Sequence, residues 1–271
     1  MTETNPLSPD EQSRLQRYAN ELSEHLGRIL GSPDHDAPPI DAIPKLMLAC
    51  VPKSGSTWLT RLLEAGLQIA STRCYLAPDR NEQEIDPVVL WQTRGKPVLY
   101  VQQHVRASVT TLRLCRAFGV KIIVLTRSLE DAAVSFRDHI LRESAVAPMF
   151  YMEREWFTAL DPRTQLDFII DHCLPWYVNF VVGWSRARNA YPNDILALSY
   201  ESLVSDPHAA LASIGRFYGR DLVLDANAAD LKDGVRFNQG RIGRGREELT
   251  AEQRKRIRRL VDYYPAVPID L

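Results

Sequence analysis

Lys53, Gly55, Ser56 and Thr57 stand together in VPKSGSTWL (51–59), between an apolar run and the start of a helical pattern. These residue types suit an oxyanion. Gly55 lets backbone approach a ligand closely, the two hydroxyls donate, and Lys53 adds a mobile point charge. A helix beginning just after a strand contributes unpaired N–H groups and the positive end of its dipole. The spacing is not that of the magnesium-dependent P-loop enzymes. In G-x-x-x-x-G-K-[ST] the Lys follows the second Gly, whereas here Lys53 precedes the one Gly of the loop. The expected guest is a phosphate or a related oxyanion, held without a metal.

Such a loop must be delivered by strands. KLMLACV (45–51), PVLYVQQ (97–103), VKIIVLT (120–126) and DILALSY (194–200) are continuous apolar runs, the first three followed by helix starts near Ser56, Ser108 and Ser128. Continuous apolar strands separated by helices predict an α/β fold of three layers, with a central, mainly parallel sheet flanked by helices. Ligands in such sheets collect at the carboxyl ends of the strands, where Lys53 to Thr57 lie. Before this core, Ser8, Pro9 and Glu11 start an amphipathic helix that runs to Gly31, and residues 32–44, with four prolines, form a linker. Pro175 interrupts a helical pattern spanning 163–189 and should break it near Leu174. Asp206, Pro207 and Gly219 bracket a further helix.

PKSGSTW resembles the 5′-phosphosulfate loop of the cytosolic-type sulfotransferases, usually written PKSGTTW, with Ser56 in place of the first Thr. The resemblance assigns donor binding to Lys53, Ser54, Gly55, Ser56, Thr57 and Trp58. A second element, VLTRSLEDAAVSF, is similar to the family's 3′-phosphate site and places Arg127 and Ser135 there. Arg127 ends a strand, Ser128 and Asp131 are expected to cap the next helix, and Ser135 lies two turns along it, so both can reach one phosphate. LSYESL (198–203) resembles a strand end whose tyrosine packs near adenine, here Tyr200. NQGRIGRGREELT (238–250) resembles a segment that closes over the nucleotide. Gly240 and Gly243 keep its spacing, but Asn238 and Gln239 replace Arg and Lys, leaving the Gly240 amide with Arg236 and Arg241 as substitutes. The chain is thereby identified as a bacterial-type member of the family, with a P-loop-like fold. Its implied co-substrate is 3′-phosphoadenosine 5′-phosphosulfate (PAPS), leaving adenosine 3′,5′-bisphosphate (PAP).

The implied reaction moves a sulfuryl group to an acceptor hydroxyl or amine, and a neutral hydroxyl needs a base. His104 follows PVLYVQQ at the carboxyl edge of the sheet and matches the family's catalytic histidine; Lys53 would neutralise the leaving phosphate. The family often has Lys two residues before this His, where this chain has Gln102. His25, His35 and His208 read as surface residues and His139 and His172 as structural helix residues. Phe150, Tyr151, Trp156, Phe157, Trp176, Tyr177, Phe180 and Trp184 either wall an acceptor pocket or pack the long helix, the helical spacing of Trp176, Phe180 and Trp184 favouring packing. A small-molecule acceptor is expected. The competing readings are a nucleotide kinase or NTPase, and a non-catalytic nucleotide-binding module.

Across 271 residues the formal charge is −1 and apolar residues make up 45%, enough for one large domain and without a global field for nucleic acid or membrane. Cys50, Cys74, Cys115 and Cys173 are widely spaced and read as buried free thiols of a reducing cytoplasm. The polar, acidic N-terminus and the lack of a long apolar run predict a soluble cytoplasmic protein. One local exception is residues 234–259, where nine Lys or Arg meet three Glu. That segment repels itself unless anions or solvent answer its charge. Composition does not indicate an oligomeric state.

Overall fold

In the computed structural model, residues 8–31, 40–75, 83–144, 149–222 and 241–271 are described. Five strands form one parallel sheet: β1 (Lys45–Cys50), β2 (Ala70–Thr72), β3 (Val98–Gln103), β4 (Val120–Thr126) and β5 (Ile195–Ser199), ordered β2-β3-β1-β4-β5. β1 is central. Its Leu46, Leu48 and Cys50 enter one apolar core while Met47 and Ala49 enter the other. Burial on both faces is the reason this run is uniformly apolar. The chain builds β2 and β3 on one side of β1 and β4 and β5 on the other, so the order reverses at β1, where a crevice opens beyond the strand ends.

The long helices lie where their periodicity places them. α1 (Pro9–Gly31) starts with the reciprocal exchange Ser8 N–H to Glu11 Oε2 (2.8 Å) and Glu11 N–H to Ser8 Oγ (3.3 Å). α2 (Ser56–Leu67) buries Trp58, Leu59, Leu62 and Leu63 against one face of the sheet. α3 (Pro87–Gln92) precedes β3, and α4 (Val109–Ala117) and α5 (Leu129–Arg142) pack on the opposite face. After α6 (Arg154–Ala159), α7 (Pro162–His172) ends one residue before α8 (Leu174–Ala190), whose first turn accommodates Pro175. Trp176 and Phe180 stack at 5.5 Å in the core, with Trp184 one turn further on. α9 (Tyr200–Ser205), α10 (Pro207–Tyr218), α11 (Arg244–Glu248) and α12 (Ala251–Asp262) complete the described helices.

The sequence reading contained no counterpart of β2, α3, α6, α9 or α11. Each is six residues or fewer, too short for a period to show. Tyr200, expected to end a strand, instead opens α9 behind the cap Ser199. All four cysteines are free and buried. No described helix is long and apolar enough to cross a membrane.

Candidate active site

The loop after β1 is fixed by its carbonyls. Ser54 Oγ donates to Val51 O (2.7 Å), Tyr177 OH to Pro52 O (2.6 Å) and Arg127 Nη1 to Lys53 O (3.0 Å), so three successive acceptors are taken by side chains. Lys53 and Gly55 both have left-handed backbone (φ 63° and 83°), the first at a cost of about 1–2 kcal/mol for a residue with a Cβ. Strain of this kind persists where surrounding contacts over-determine the loop. α4, α5, α7, α10 and α12 each start on a Ser, Asp or Thr whose oxygen accepts a first-turn N–H. α2 starts on Gly55 with no side-chain cap. Its opening N–H groups therefore call for an acceptor from elsewhere.

A cavity of about 220 Å³ lies against this loop, lined by Lys53, Gly55, Ser56, Thr57 and Trp58. His104, Arg127, Ser135 and Tyr200, from three other strand ends and α5, line it too. Ser54 does not: it is fully buried, with its hydroxyl on Val51 O. Asn238, Gln239 and Gly240, with Arg236, lie outside the described residues. Gln102 also lines the cavity, at φ 52°, and its Nε2 donates to Thr57 Oγ1 (2.8 Å), leaving the Thr57 hydroxyl hydrogen to donate elsewhere. His139 and Glu143 are two further lining residues. His139, read from the sequence as a structural helix residue, thus also lines the cavity. The available signal was the four-residue spacing of Ser135 and His139 along one face of α5, with Glu143 as the cap that follows its last turn.

Arg127 is 7% exposed. Beyond Lys53 O its Nη2 reaches Arg241 O (3.3 Å), the Asp131 carboxylate is 3.8 Å away, and Nε has no partner among the described residues. Its guanidinium sits 4.3 Å from the centre of the Tyr200 ring. That ring also covers Gly55, where a Cβ would come within 2.7 Å of Tyr200 Cδ2. Gly55 is therefore required twice, for its dihedral and for this contact. Ser135, 2% exposed, faces the same cavity from two turns into α5. A buried guanidinium answered mainly by carbonyls, beside a buried hydroxyl, has the donors a phosphate needs.

His104 Nδ1 lies 2.7 Å from Cys50 O, and a carbonyl only accepts, so Nδ1 carries the hydrogen and Nε2 keeps its lone pair. The main-chain N–H of His104 is held by Gln83 Oε1 at 2.7 Å. Burial pushes His104 down to about 4; the positive Arg73 and the nearby His139 act in the same sense, while the bond to Cys50 O opposes them. A neutral imidazole with a fixed tautomer on a cavity wall is the form a general base requires. The adjacent Cys50 thiol is driven by burial to about 12 and stays protonated.

The profile of the sulfotransferase domain family matches residues 43–263. The chain belongs to that family. Flavonol 3-sulfotransferase of Flaveria bidentis is 26% identical over 204 residues, a match covering 71% of this chain and 61% of that relative's length. Among solved structures, a mouse sulfotransferase complexed with PAP superposes with a TM-score of 0.60 at 18% identity over 88% of each chain. Retinol dehydratase, in complex with androsterone and inactive cofactor PAP, gives 0.56 at 16% identity over 93% of this chain and 88% of its own. At these identities the structural likeness is one of fold.

Two expectations drawn from residue chemistry change in the structure. Asp131 was expected to cap α5; Ser128 Oγ does accept the Asp131 N–H (3.3 Å), but the Asp131 carboxylate turns away and accepts from Gly243 N (2.8 Å) and Gly245 N (2.7 Å). In the C-terminal basic segment, expected to need an external anion or solvent, three of the nine cations are answered by protein carboxylates. Arg244 pairs with Asp138 (2.9 Å) and Glu248 (2.7 Å), Arg241 with Glu247, and Arg256 with Asp167 and Asp171. As for the aromatic residues of 150–184, none lines the cavity. Phe150 packs edge-on to Phe136 and Phe168, and Tyr151 is 83% exposed.

Proposed function

We propose that the cavity binds PAPS and that the chain transfers its sulfuryl group to a hydroxyl of a small-molecule acceptor. The observation that carries this reading is the convergence of two separate oxyanion sites on one cavity. One is the uncapped start of α2 with Lys53; the other is Arg127 with Ser135. A nucleotide phosphorylated at both its 3′ and 5′ positions matches two such sites, whereas a nucleoside triphosphate carries a single phosphate chain. Membership of the sulfotransferase domain family and the PAP bound in the fold relatives support the same donor.

Each residue then has a chemical task. Arg127 and Ser135 hold the 3′-phosphate and Tyr200 covers the loop beside it. The N–H groups at the start of α2, the Ser56 hydroxyl and the Thr57 hydroxyl oriented by Gln102 hold the 5′ end. PAPS supplies a sulfuryl group on a phosphate leaving group. As the acceptor oxygen bonds to sulfur, the bond from sulfur to the 5′-phosphate oxygen breaks and its electron pair stays on that oxygen, where the Lys53 ammonium stabilises the charge. The acceptor proton passes to Nε2 of His104. The test is transfer of label from ³⁵S-PAPS to a panel of phenols and alcohols. The expected outcome is a labelled acceptor with the native chain, and a rate lower by about 10²- to 10⁴-fold for His104→Ala with PAP affinity retained. Stabilisation by Mg-ATP but not by PAP would overturn the reading.

A further inference from the structure

β3 carries one more residue than its pairing with β1 can use. Leu46 stands opposite Leu99 and Met47 opposite Tyr100, but Ala49 stands opposite Gln103, so two steps along β1 answer three along β3. Gln102, at φ 52°, marks the break. A bulge of this kind changes which face a side chain meets, because the alternation of the strand slips by one residue. Before it, Val98 and Tyr100 enter the core of Met47 and Ala49, while Leu99 enters that of Leu46, Leu48 and Cys50. Carried on unbroken, the same alternation would turn His104 to the face of Tyr100. With the extra residue, His104 follows Gln103 into register with Cys50, on the face where α2 packs, and its Nδ1 reaches Cys50 O at 2.7 Å.

Two side chains hold the break in place. Gln102 Nε2 donates to Thr57 Oγ1 (2.8 Å), which ties the left-handed residue to the first turn of α2. Gln83 Oε1 accepts the main-chain N–H of His104 (2.7 Å), the first N–H past the end of β3. Gln83 is 4% exposed and its segment is tied back by the Asp86 N–H to Cys74 O (3.0 Å), so the acceptor is a fixed one. A left-handed conformation is unfavourable for a residue with a Cβ and persists where contacts like these over-determine it. We propose that Gln102 and Gln83 are positioning residues for His104: the main chain of Gln102 supplies the bulge that turns the imidazole to the cavity, and Gln83 fixes the peptide that carries it. The inference rests on the reading of His104 as base and deepens it. What the base needs at position 102 is a backbone that takes a positive φ, whatever the side chain there does for the donor.

The test separates main chain from side chain at Gln102. Gly takes a positive φ freely and a β-branched residue does not, so Gln102→Gly keeps the bulge and Gln102→Val straightens it, while both lose the bond to Thr57. In the full chain without nucleotide, NMR of ¹⁵N-labelled histidine should show His104 protonated at Nδ1 and uncharged down to about 4 in the native protein and in Gln102→Gly. In Gln102→Val it should titrate closer to 6.5, with a mixed tautomer. Rates with ³⁵S-PAPS on 4-nitrophenol, which is ionised in mildly alkaline buffer and needs no base, and on the fastest neutral alcohol of the panel give the second readout. Gln102→Val should lower the alcohol rate about 10²-fold more than the nitrophenol rate, whereas Gln102→Gly lowers both alike. Gln83→Met, similar in shape but without the acceptor, should lower the alcohol rate about tenfold relative to nitrophenol, and Gln83→Glu, which keeps an acceptor oxygen, should restore most of it. The Gln83 variants decide the matter if Gln102→Val does not fold. His104 titrating alike in the Gly and Val variants, or equal losses on the two acceptors in Gln102→Val or Gln83→Met, would overturn the proposal and leave the base reading standing. Equal losses on both acceptors in His104→Ala would remove the base reading, and this proposal with it.

Discussion

Two of the described helices begin on a left-handed glycine, and their fates differ. α11 starts on Gly243 (φ 89°) and α2 on Gly55 (φ 83°), neither with a side-chain cap of its own. At α11 the fold supplies the anion. The Asp131 carboxylate, 2% exposed, accepts the N–H groups of Gly243 and Gly245, and the adjacent Arg244 is closed by Asp138 and Glu248. Burial alone would lower the Arg244 pKa, yet its hydrogen bonds to these two carboxylates hold it above the ordinary arginine value. At α2 the helix start faces a cavity, with a Glu143 carboxylate oxygen 3.8 Å from Lys53 Nζ and an Asp131 oxygen 3.8 Å from Arg127 Nη2. The same local geometry serves structure where the protein provides the anion and, on the function proposed above, serves binding where a ligand provides it.

The comparison is most easily broken at Asp131. Replacing it by Ala removes a charged acceptor from two buried N–H groups, and about 3–5 kcal/mol of stability is expected to go, measured by urea denaturation. Lys53→Ala should cost less than about 1 kcal/mol in the same experiment while impairing turnover. Similar stability losses in both would mean that the two helix starts do not differ in kind. The glycines sharpen the contrast at a smaller scale. A Cβ at Gly245 would come within 2.4 Å of Glu130 Cβ, so Gly245→Ala should destabilise by about 1–3 kcal/mol without altering the preference for PAP over the 5′-monophosphate. Gly55→Ala should displace Tyr200 and weaken PAP binding beyond any change in folding stability.

The last of these effects is in pH. His104 has an ordinary value of 6.5 and a folded value of about 4, so its uncharged state is kept through mildly acidic solution. The acid limb of kcat/KM is expected near pH 4 rather than 6.5. The sign for stability follows from the same shift. The unfolded chain binds this proton below 6.5 and the folded chain only near 4, so the contribution is full above 6.5 and is lost as pH falls through about 4. In His104→Asn that portion of the slope should vanish from urea titrations between these pH values. An unchanged slope would show that His104 is not held uncharged.

The sheet was legible because β1, β3 and β4 are largely buried and read as apolar runs, β5 keeping the same composition at the sheet edge, and because Ser8, Ser128 and Asp206 announce helix starts in their own chemistry. The loop at Lys53 and the pair Arg127 and Ser135 were legible as local motifs placed at strand ends. What escaped was set by tertiary contact. Nothing within VLTRSLEDAAVSF tells that Asp131 serves α11 instead of α5, since its partners are over 100 positions away. That His139 lines the cavity was not legible, because a histidine inside a helix gives no sign of which neighbours its face meets. Ser54 sits in the binding motif yet turns inward, a direction fixed by Val51 O and invisible in the residue types. Trp176, Phe180 and Trp184, by contrast, were correctly read as core from spacing alone.

The central claim is that Arg127 and Ser135 are an oxyanion site distinct from the loop at Lys53, made for a 3′-phosphate. Calorimetric affinities of PAP and of adenosine 5′-monophosphate for the native chain and for Arg127→Ala test it directly. The native chain should prefer PAP, and the variant should lose about 10- to 150-fold of that preference, the worth of a charge-assisted contact of about 1.5–3 kcal/mol, with little change toward the monophosphate. A PAP-to-monophosphate ratio that stays the same when Arg127 is removed would contradict the account.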